Sequence, residues 1–343
     1  MKPNIRMISK ITGYSPATVS NALNRKKGVN KETSSEIIKV ANELGYSSKT
    51  RISRIRFVIY KRNGSIIDNS PFFTNLLEGV ETECREFGYE MIISNLDRRS
   101  DFFEQRLSEI LNDRTAGVIM LGTEAMDEDF EMFLSAKCPM VILDSWSTSM
   151  NFNGILINNS DSAKNAVEYL IKRGHREIGY LKGKFRIKAF NARATGYSRA
   201  LYKHGIPMNE QYIVTLSTTM DGAYKDMLIY LNQRPKLPTA FFADNDMIAL
   251  GAMKALIEKG YRIPEDISLI GFDDLDSCEI STPRLTTIRV FKQEMGQLAV
   301  RRLKDIIKDG NSIKSKIQIC TEFVERDSVK DLAKMKKHLE AVK

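Results

Sequence analysis

Ser15-Pro16-Ala17-Thr18-Val19-Ser20-Asn21-Ala22-Leu23-Asn24 is the stretch that orders the rest of this chain. It reads as a short helix. Ser15 stands at the cap position and Pro16 at the first helical position, where a missing N–H costs nothing. Gly13-Tyr14 before it reads as a tight turn. Before that turn, Ile5, Ile8 and Ile11 recur at helical spacing, which predicts a helix over about 6–12. After it, the loop Arg25-Lys26-Lys27-Gly28 leads to Asn30, the cap of a third predicted helix over 31–44 that stops at Gly45. Two short helices joined by a tight turn, with a third closing the core, is the helix-turn-helix pattern. In it the second helix enters the DNA major groove.

Charge points the same way. Up to Arg56 there are 12 Lys and Arg against 3 Asp and Glu, a net +9. The whole chain has 52 against 43, also +9, so residues 57–343 are neutral in sum. A basic head on a neutral body predicts a polyanion-binding module joined to something else, since Lys and Arg release counterions when they neutralise phosphates.

The stretch 15–24, followed by Gly45-Tyr46, resembles the DNA-binding head of the LacI/GalR family of bacterial regulators. The resemblance implies that Pro16, Ala17 and Asn21 read bases and that Ser15, Thr18, Ser20, Asn24 and Thr33 meet phosphates. Many members carry Arg where this chain has Asn21, so the operator sequence does not transfer. The link after Tyr46 is short and lacks the Ala-Arg-x-Leu hinge motif. It is expected to be a basic linker over 47–56 whose Arg51 and Arg54 grip phosphate, with no side chain wedged into the minor groove.

From Phe57 onward, apolar runs at 57–60, 91–94, 117–121, 140–143, 178–181, 240–243 and 268–271 alternate with amphipathic stretches. This predicts an α/β body of two doubly wound parallel-sheet lobes. The runs 170–179, 238–246, 264–274 and 283–288 resemble the same family, whose body has a periplasmic binding protein-like fold. The implied domains are an all-α head at 1–46, the linker at 47–56 and a ligand-sensing, dimerising body at 57–328. Lobe 1 is expected over 57–158 and 288–314, and lobe 2 over 161–284 and 316–328. Residues 329–343 read as a helical tail.

Polar residues placed where apolar runs end are the candidate ligand groups, because open α/β folds bind ligands at the carboxyl ends of their strands. They are Asp144, Asn245 and Asp273, with Arg193 opening a helix. Phe72 and Phe73 lie in a segment that resembles the family's first pocket segment. Trp146, the only Trp, suits a stacking platform at the cleft mouth. An Asp after a strand is also an ordinary cap or turn former. Carboxylates, amides and an aromatic face together fit a small effector such as a sugar or sugar phosphate.

Cys84, Cys138, Cys278 and Cys320 are far apart with no metal-ligand spacing, which suits free thiols in a reducing cytoplasm. No apolar run reaches the roughly 20 residues of a membrane helix. No nucleophile, phosphate-loop or zinc motif is present, and no cofactor is implied. The expected function is a cytoplasmic, homodimeric repressor of carbohydrate uptake or catabolism genes on palindromic operator DNA. Two alternatives stay open. One is a catabolite-control-type regulator driven by a protein co-effector; the other is a sugar-processing enzyme with a DNA-binding head.

Overall fold

The computed structural model describes residues 3–23, 28–44, 52–309 and 313–334. The chain falls into two compact units, Met1–Ser53 and Arg54–Lys343.

The first unit holds three helices, α1 (Ile5–Thr12), α2 (Pro16–Leu23) and α3 (Lys31–Glu43). Each starts on a side-chain cap. Asn4 accepts from the Met7 N–H at 2.9 Å, Ser15 from Thr18 at 3.1 Å and Asn30 from Thr33 at 2.8 Å. Gly13 ends α1 with φ of 75°, a left-handed turn that glycine adopts without strain. Ile8, Val19, Ala22, Ile37 and Ala41 form the core of the unit.

The second unit contains two parallel sheets. The first holds β1 (Arg54–Lys61), β2 (Glu90–Asp97), β3 (Ala116–Leu121), β4 (Met140–Leu143), β5 (Asn153–Ile157) and β11 (Lys316–Ile319), in the order β11-β5-β4-β3-β1-β2. Helices α4 (Phe72–Glu86), α5 (Phe103–Asn112) and α11 (Lys292–Asp309) cover it. The second sheet holds β6 (Ile178–Gly183), β7 (Ile213–Leu216), β8 (Ala240–Ala243) and β9 (Ser268–Ile270), in the order β7-β6-β8-β9. Its helices are α6 (Asn159–Lys172), α7 (Lys188–Lys203), α8 (Met220–Asn232), α9 (Asp246–Glu258) and the short α10 (Ser277–Ile280). Both sheets reverse strand order beside their first strand, as doubly wound sheets do. Strands β3, β4 and β8 are buried along their whole length, as sheets covered on both faces require.

The chain passes between lobes three times. It crosses after β5, and again along β10 (Thr287–Arg289) and β12 (Glu322–Val324), which pair antiparallel. The third crossing corrects the expected lobe boundary at 314–316. Strand β11 pairs with β5 in register from Lys316↔Gly154 to Ile319↔Ile157, so lobe 1 runs on to Ile319. Half-exposed alternation in β11 marks an edge strand, and its few apolar residues gave little signal.

A second correction concerns the linker. Arg54, Ile55 and Arg56 already belong to β1, because their period-two alternation buries Ile55 and Phe57. Arg54 Nη2 donates to Thr115 Oγ1 at 2.9 Å, and Arg56 Nη2 binds Asp113 at 3.0 Å. Arg54 is thus a strand residue committed to the body, not a linker cation. Arg51 and Asn24 lie outside the described residues, as does the tail beyond Lys334. Up to that point the tail packs on lobe 2. Arg173 Nη1 binds Asp331 at 2.7 Å, and the Ala333 N–H donates to the Arg173 carbonyl at 3.0 Å.

Candidate functional site

The carboxyl ends of the two sheets face each other across one cleft. Lobe 1 contributes the segment after β1 (Ile66, Ser70, Phe72, Phe73), Thr123 after β3 and Asp144 after β4. Lobe 2 contributes Ile187, Ala189, Phe190 and Arg193 after β6, Asn245 after β8 and Asp273 after β9. Six of the seven sequence candidates therefore line one cavity. Trp146 does not. The backbone turns left-handed at Asp144 (φ 59°), and two residues on, the half-buried Trp146 ring meets the Lys188 ammonium at 5.2 Å instead of the cavity.

Thr123 Oγ1 donates to Asp144 Oδ2 at 2.7 Å. Burial pushes the Asp144 carboxyl up to about 6, against the Thr123 hydrogen bond and the charge of Arg193. Arg193 is held on every nitrogen. Its Nε donates to Asn159 Oδ1 at 2.8 Å, Nη1 to the Asp244 carbonyl at 2.5 Å and Nη2 to Asp273 Oδ1 at 3.2 Å. Its guanidinium carbon Cζ lies 3.6 Å from the Phe272 ring centroid. Burial also raises the Asp273 carboxyl, opposed by Arg193 and Lys292. Asn245 serves two ends: its Oδ1 accepts from the Ile248 N–H at 3.1 Å, capping α9, and its side chain lines the cavity.

The other end of the cavity is apolar. Ile66, Ile187, Ala189 and Phe190 pack into one cluster with Phe73 against it. Phe72 and Phe73 meet edge-on at 5.2 Å. These apolar groups escaped the sequence reading, except for the two Phe, because an isolated Ile or Ala in a loop carries no pattern. Thr123 had a usable signal, since Gly122-Thr123 directly follows the buried strand β3.

Side chains of lobe 2 reach across the cleft to lobe 1. Lys188 Nζ, from lobe 2, donates to Asp127 Oδ1 at 2.6 Å and to the Trp146 carbonyl at 2.5 Å, both in lobe 1. Thr218 Oγ1 donates to the Ser65 carbonyl at 3.0 Å. The buried Glu124 carboxylate fixes the loop after β1 by accepting from the N–H groups of Arg62, Asn63, Gly64, Ile66 and Ile67 at 2.8–3.1 Å. The remaining cavity is about 20 Å³, room for about one water.

In the head, Ser15, Pro16 and Ala17 are exposed at the start of α2, while Thr18, Ser20, Asn21 and Thr33 are half-buried. The Ser15 and Thr18 hydroxyls are 2.9 Å apart. Among the described residues, no cluster of three or more His, Cys, Asp or Glu could hold a metal, and no helix is long and apolar enough to cross a membrane.

Comparison with known proteins agrees with both halves. The sequence profile of bacterial regulatory proteins of the lacI family matches residues 4–49, and that of the periplasmic binding protein-like domain matches 167–329. The HTH-type transcriptional repressor PurR of Mannheimia succiniciproducens is 30% identical over 334 residues, 96% of this chain and 99% of that one. PurR of Vibrio atlanticus is 32% identical over 333 residues, with the same coverage. Among solved structures, the transcriptional regulator CelR in complex with cellobiose superposes with a TM-score of 0.72 at 26% identity, over 95% of this chain and 99% of that one. A LacI family regulator from Enterococcus faecium with bound ribose gives 0.68 at 26%, over 81% and 99%. Repressors that match over nearly their whole length set the enzyme reading aside, and this chain belongs to the lacI family of bacterial regulatory proteins as a DNA-binding transcriptional repressor.

Proposed function

We propose that this repressor acts as a homodimer on a palindromic operator and is controlled by a small, uncharged, hydroxyl-bearing effector, a sugar, held between the lobes. The observation that carries the reading is the convergence of Thr123, Asp144, Arg193, Asn245 and Asp273 on one cavity with Phe72 and Phe73 beside them. Fixed carboxylates and amides bind hydroxyl pairs, and a misplaced hydroxyl leaves a buried group unpaired. Solved neighbours in complex with cellobiose and with bound ribose support the same chemistry. Ser15, Pro16, Ala17, Thr18, Ser20, Asn21, Asn24 and Thr33 in the head, and Arg51 in the linker, are the proposed DNA contacts.

A phosphorylated sugar fits less well than a neutral one. The cations at the cleft are already committed: Arg193 as above, Lys188 to Asp127, and Lys292 to the carbonyls of Asp273, Asp274 and Val290. Arg186 is bonded to Asp244. A phosphate would face Asp144, whose carboxylate accepts from the Thr123 hydroxyl and, among the described residues, not from a cation. In the population-shift mechanism, the effector biases one lobe arrangement and thereby the fit of the heads to their half-sites.

Calorimetry of the full chain against neutral mono- and disaccharides, their phosphates and planar nitrogen heterocycles tests this. Binding of a neutral sugar, weakened at least tenfold by Asp273→Ala, is the expected result. Tight binding of only phosphates or heterocycles would overturn it.

A further inference from the structure

Among its described residues, the recognition helix α2 carries one polar group free to read a base. The buried stripe of α2 is Val19 and Ala22. At 100° per residue, the stripe opposite them comprises Ala17, Ser20 and Asn21. Ala17 presents an exposed methyl. Ser20 already has an interaction partner. Thr18 is turned to the cap, its N–H and hydroxyl both on Ser15. Asn21, half-exposed one turn after Ala17, has no hydrogen-bond partner among the described residues.

A carboxamide offers one acceptor and a pair of donors side by side. Adenine presents the complement in the major groove, N6–H as donor and N7 as acceptor. Guanine presents two acceptors, O6 and N7, so the Asn oxygen would face an acceptor and stay unpaired. Arg, with donors only, makes the opposite choice. A methyl such as that of Ala17 contacts the thymine methyl favourably.

We propose that Asn21 reads an adenine in each operator half-site, with Ala17 against a thymine methyl on a neighbouring pair. The reading rests on operator binding by α2. It makes the half-site A·T at a position where an Arg in the same place would select G·C.

The test uses the full chain and a randomised duplex library, followed by titration of the enriched operator. Wild type should enrich adenine at one position of each half-site. Replacing that A·T by G·C should cost roughly fivefold to 150-fold in affinity, and 7-deazaadenine, which lacks the N7 acceptor, should recover only part of the loss. Asn21→Arg should switch the preference to G·C at that position alone. Asn21→Ala should erase the preference there while the salt-dependent, sequence-independent affinity persists. Because both variants sit on the open side of α2, thermal melts matching wild type verify the fold. An enriched motif that is identical in wild type, Asn21→Arg and Asn21→Ala would overturn the assignment of Asn21. The absence of any enriched motif with wild type would overturn the operator reading by α2 itself.

Discussion

Lys188→Met should loosen the cleft. Lys188 is the first residue of α7, its side chain is 9% exposed, and its ammonium bonds Asp127 and the Trp146 carbonyl across the lobe boundary. A hydrogen bond to a charged group contributes about 1.5–3 kcal/mol when desolvated. Asp127 is 41% exposed, so solvent screening reduces that pair to about 1 kcal/mol. The carbonyl bond adds about 1 kcal/mol. A cation at a helix N-terminus opposes the helix dipole by about 0.5 kcal/mol. The net is about 1.5 kcal/mol, roughly a tenfold shift of the open-to-closed ratio. Met keeps the unbranched stem between the Trp146 and Phe130 rings, which lie 5.2 and 5.6 Å from the ammonium. Because Trp146 is the only Trp, acrylamide quenching of its fluorescence in the effector-free chain reports opening without a second probe. Quenching should increase, and the radius of gyration from small-angle scattering should rise with it. Unchanged quenching and scattering in a folded Lys188→Met protein would refute the latch. Although desolvation raises the Asp127 carboxyl, the Lys188 and Thr148 hydrogen bonds outweigh it and hold it well below the usual range. The latch should therefore persist at neutral pH and fail only in acid.

Two further outcomes are expected. With the Asp144 carboxyl near 6, effector affinity should rise between pH 5 and 7.5 as the carboxylate forms, and Thr123→Val, which removes a bond favouring the carboxylate, should move the midpoint to higher pH. The folded state binds this proton more tightly than the unfolded one, so Asp144's contribution to stability falls as pH rises from 3.8 to about 6; Asp144→Asn should flatten that part of the melting profile. Gly79→Ala should lower the melting temperature by several degrees, because its Cβ would lie 2.1 Å from the Gln293 carbonyl oxygen where α4 crosses α11. Such overpacking costs about 1–3 kcal/mol, and an unchanged melt would show that the two helices can separate freely.

The elements with strong periodicity or clean caps were legible from sequence. Ser15 and Asn30 cap helices whose starts need only a short polar side chain and three following N–H groups. The fully apolar runs of β3, β4 and β8 announce strands buried on both faces. Strand β5 was not legible, since Asn153-Gly154 reads as a turn while here it opens a strand. Nor was α8, where Gly222 follows the Thr219 cap and weakens the helical pattern. The crossover strands β10 and β12, three residues each, are set by the packing of two lobes rather than by local pattern. The polar end of the cavity could be read because polar groups after apolar strands stand out. Its apolar end, and the Lys188 bridge, depend on which loops meet across the cleft, which no local pattern encodes.

That division has a physical cause at the strand ends. Four non-glycine residues in the described chain have positive φ, and three of them are Asp144 and Asp273, which line the cavity, and Asp274 next in sequence (φ 59°, 116° and 52°). Left-handed backbone at such residues costs on the order of 1–3 kcal/mol each, and glycine would relieve it. Glycine would also remove the carboxylates, of which Asp144 accepts from Thr123, Asp273 from Arg193, and Asp274 pairs with Arg289 and Arg326. The Asp273 N–H donates to the Ile288 carbonyl in β10, and its own carbonyl accepts from Lys292 at the start of α11. Asp274 binds Arg289 in β10 at 2.7 Å and Arg326 beyond β12 at 2.8 Å. Strain at this pair is therefore held between the cavity and both crossover strands. A ligand that draws on the Asp273 carboxylate acts on a residue whose backbone is bonded to the segments joining the lobes. Chemistry at the cleft and lobe geometry share residues here, so the coupling needs no longer path through the core.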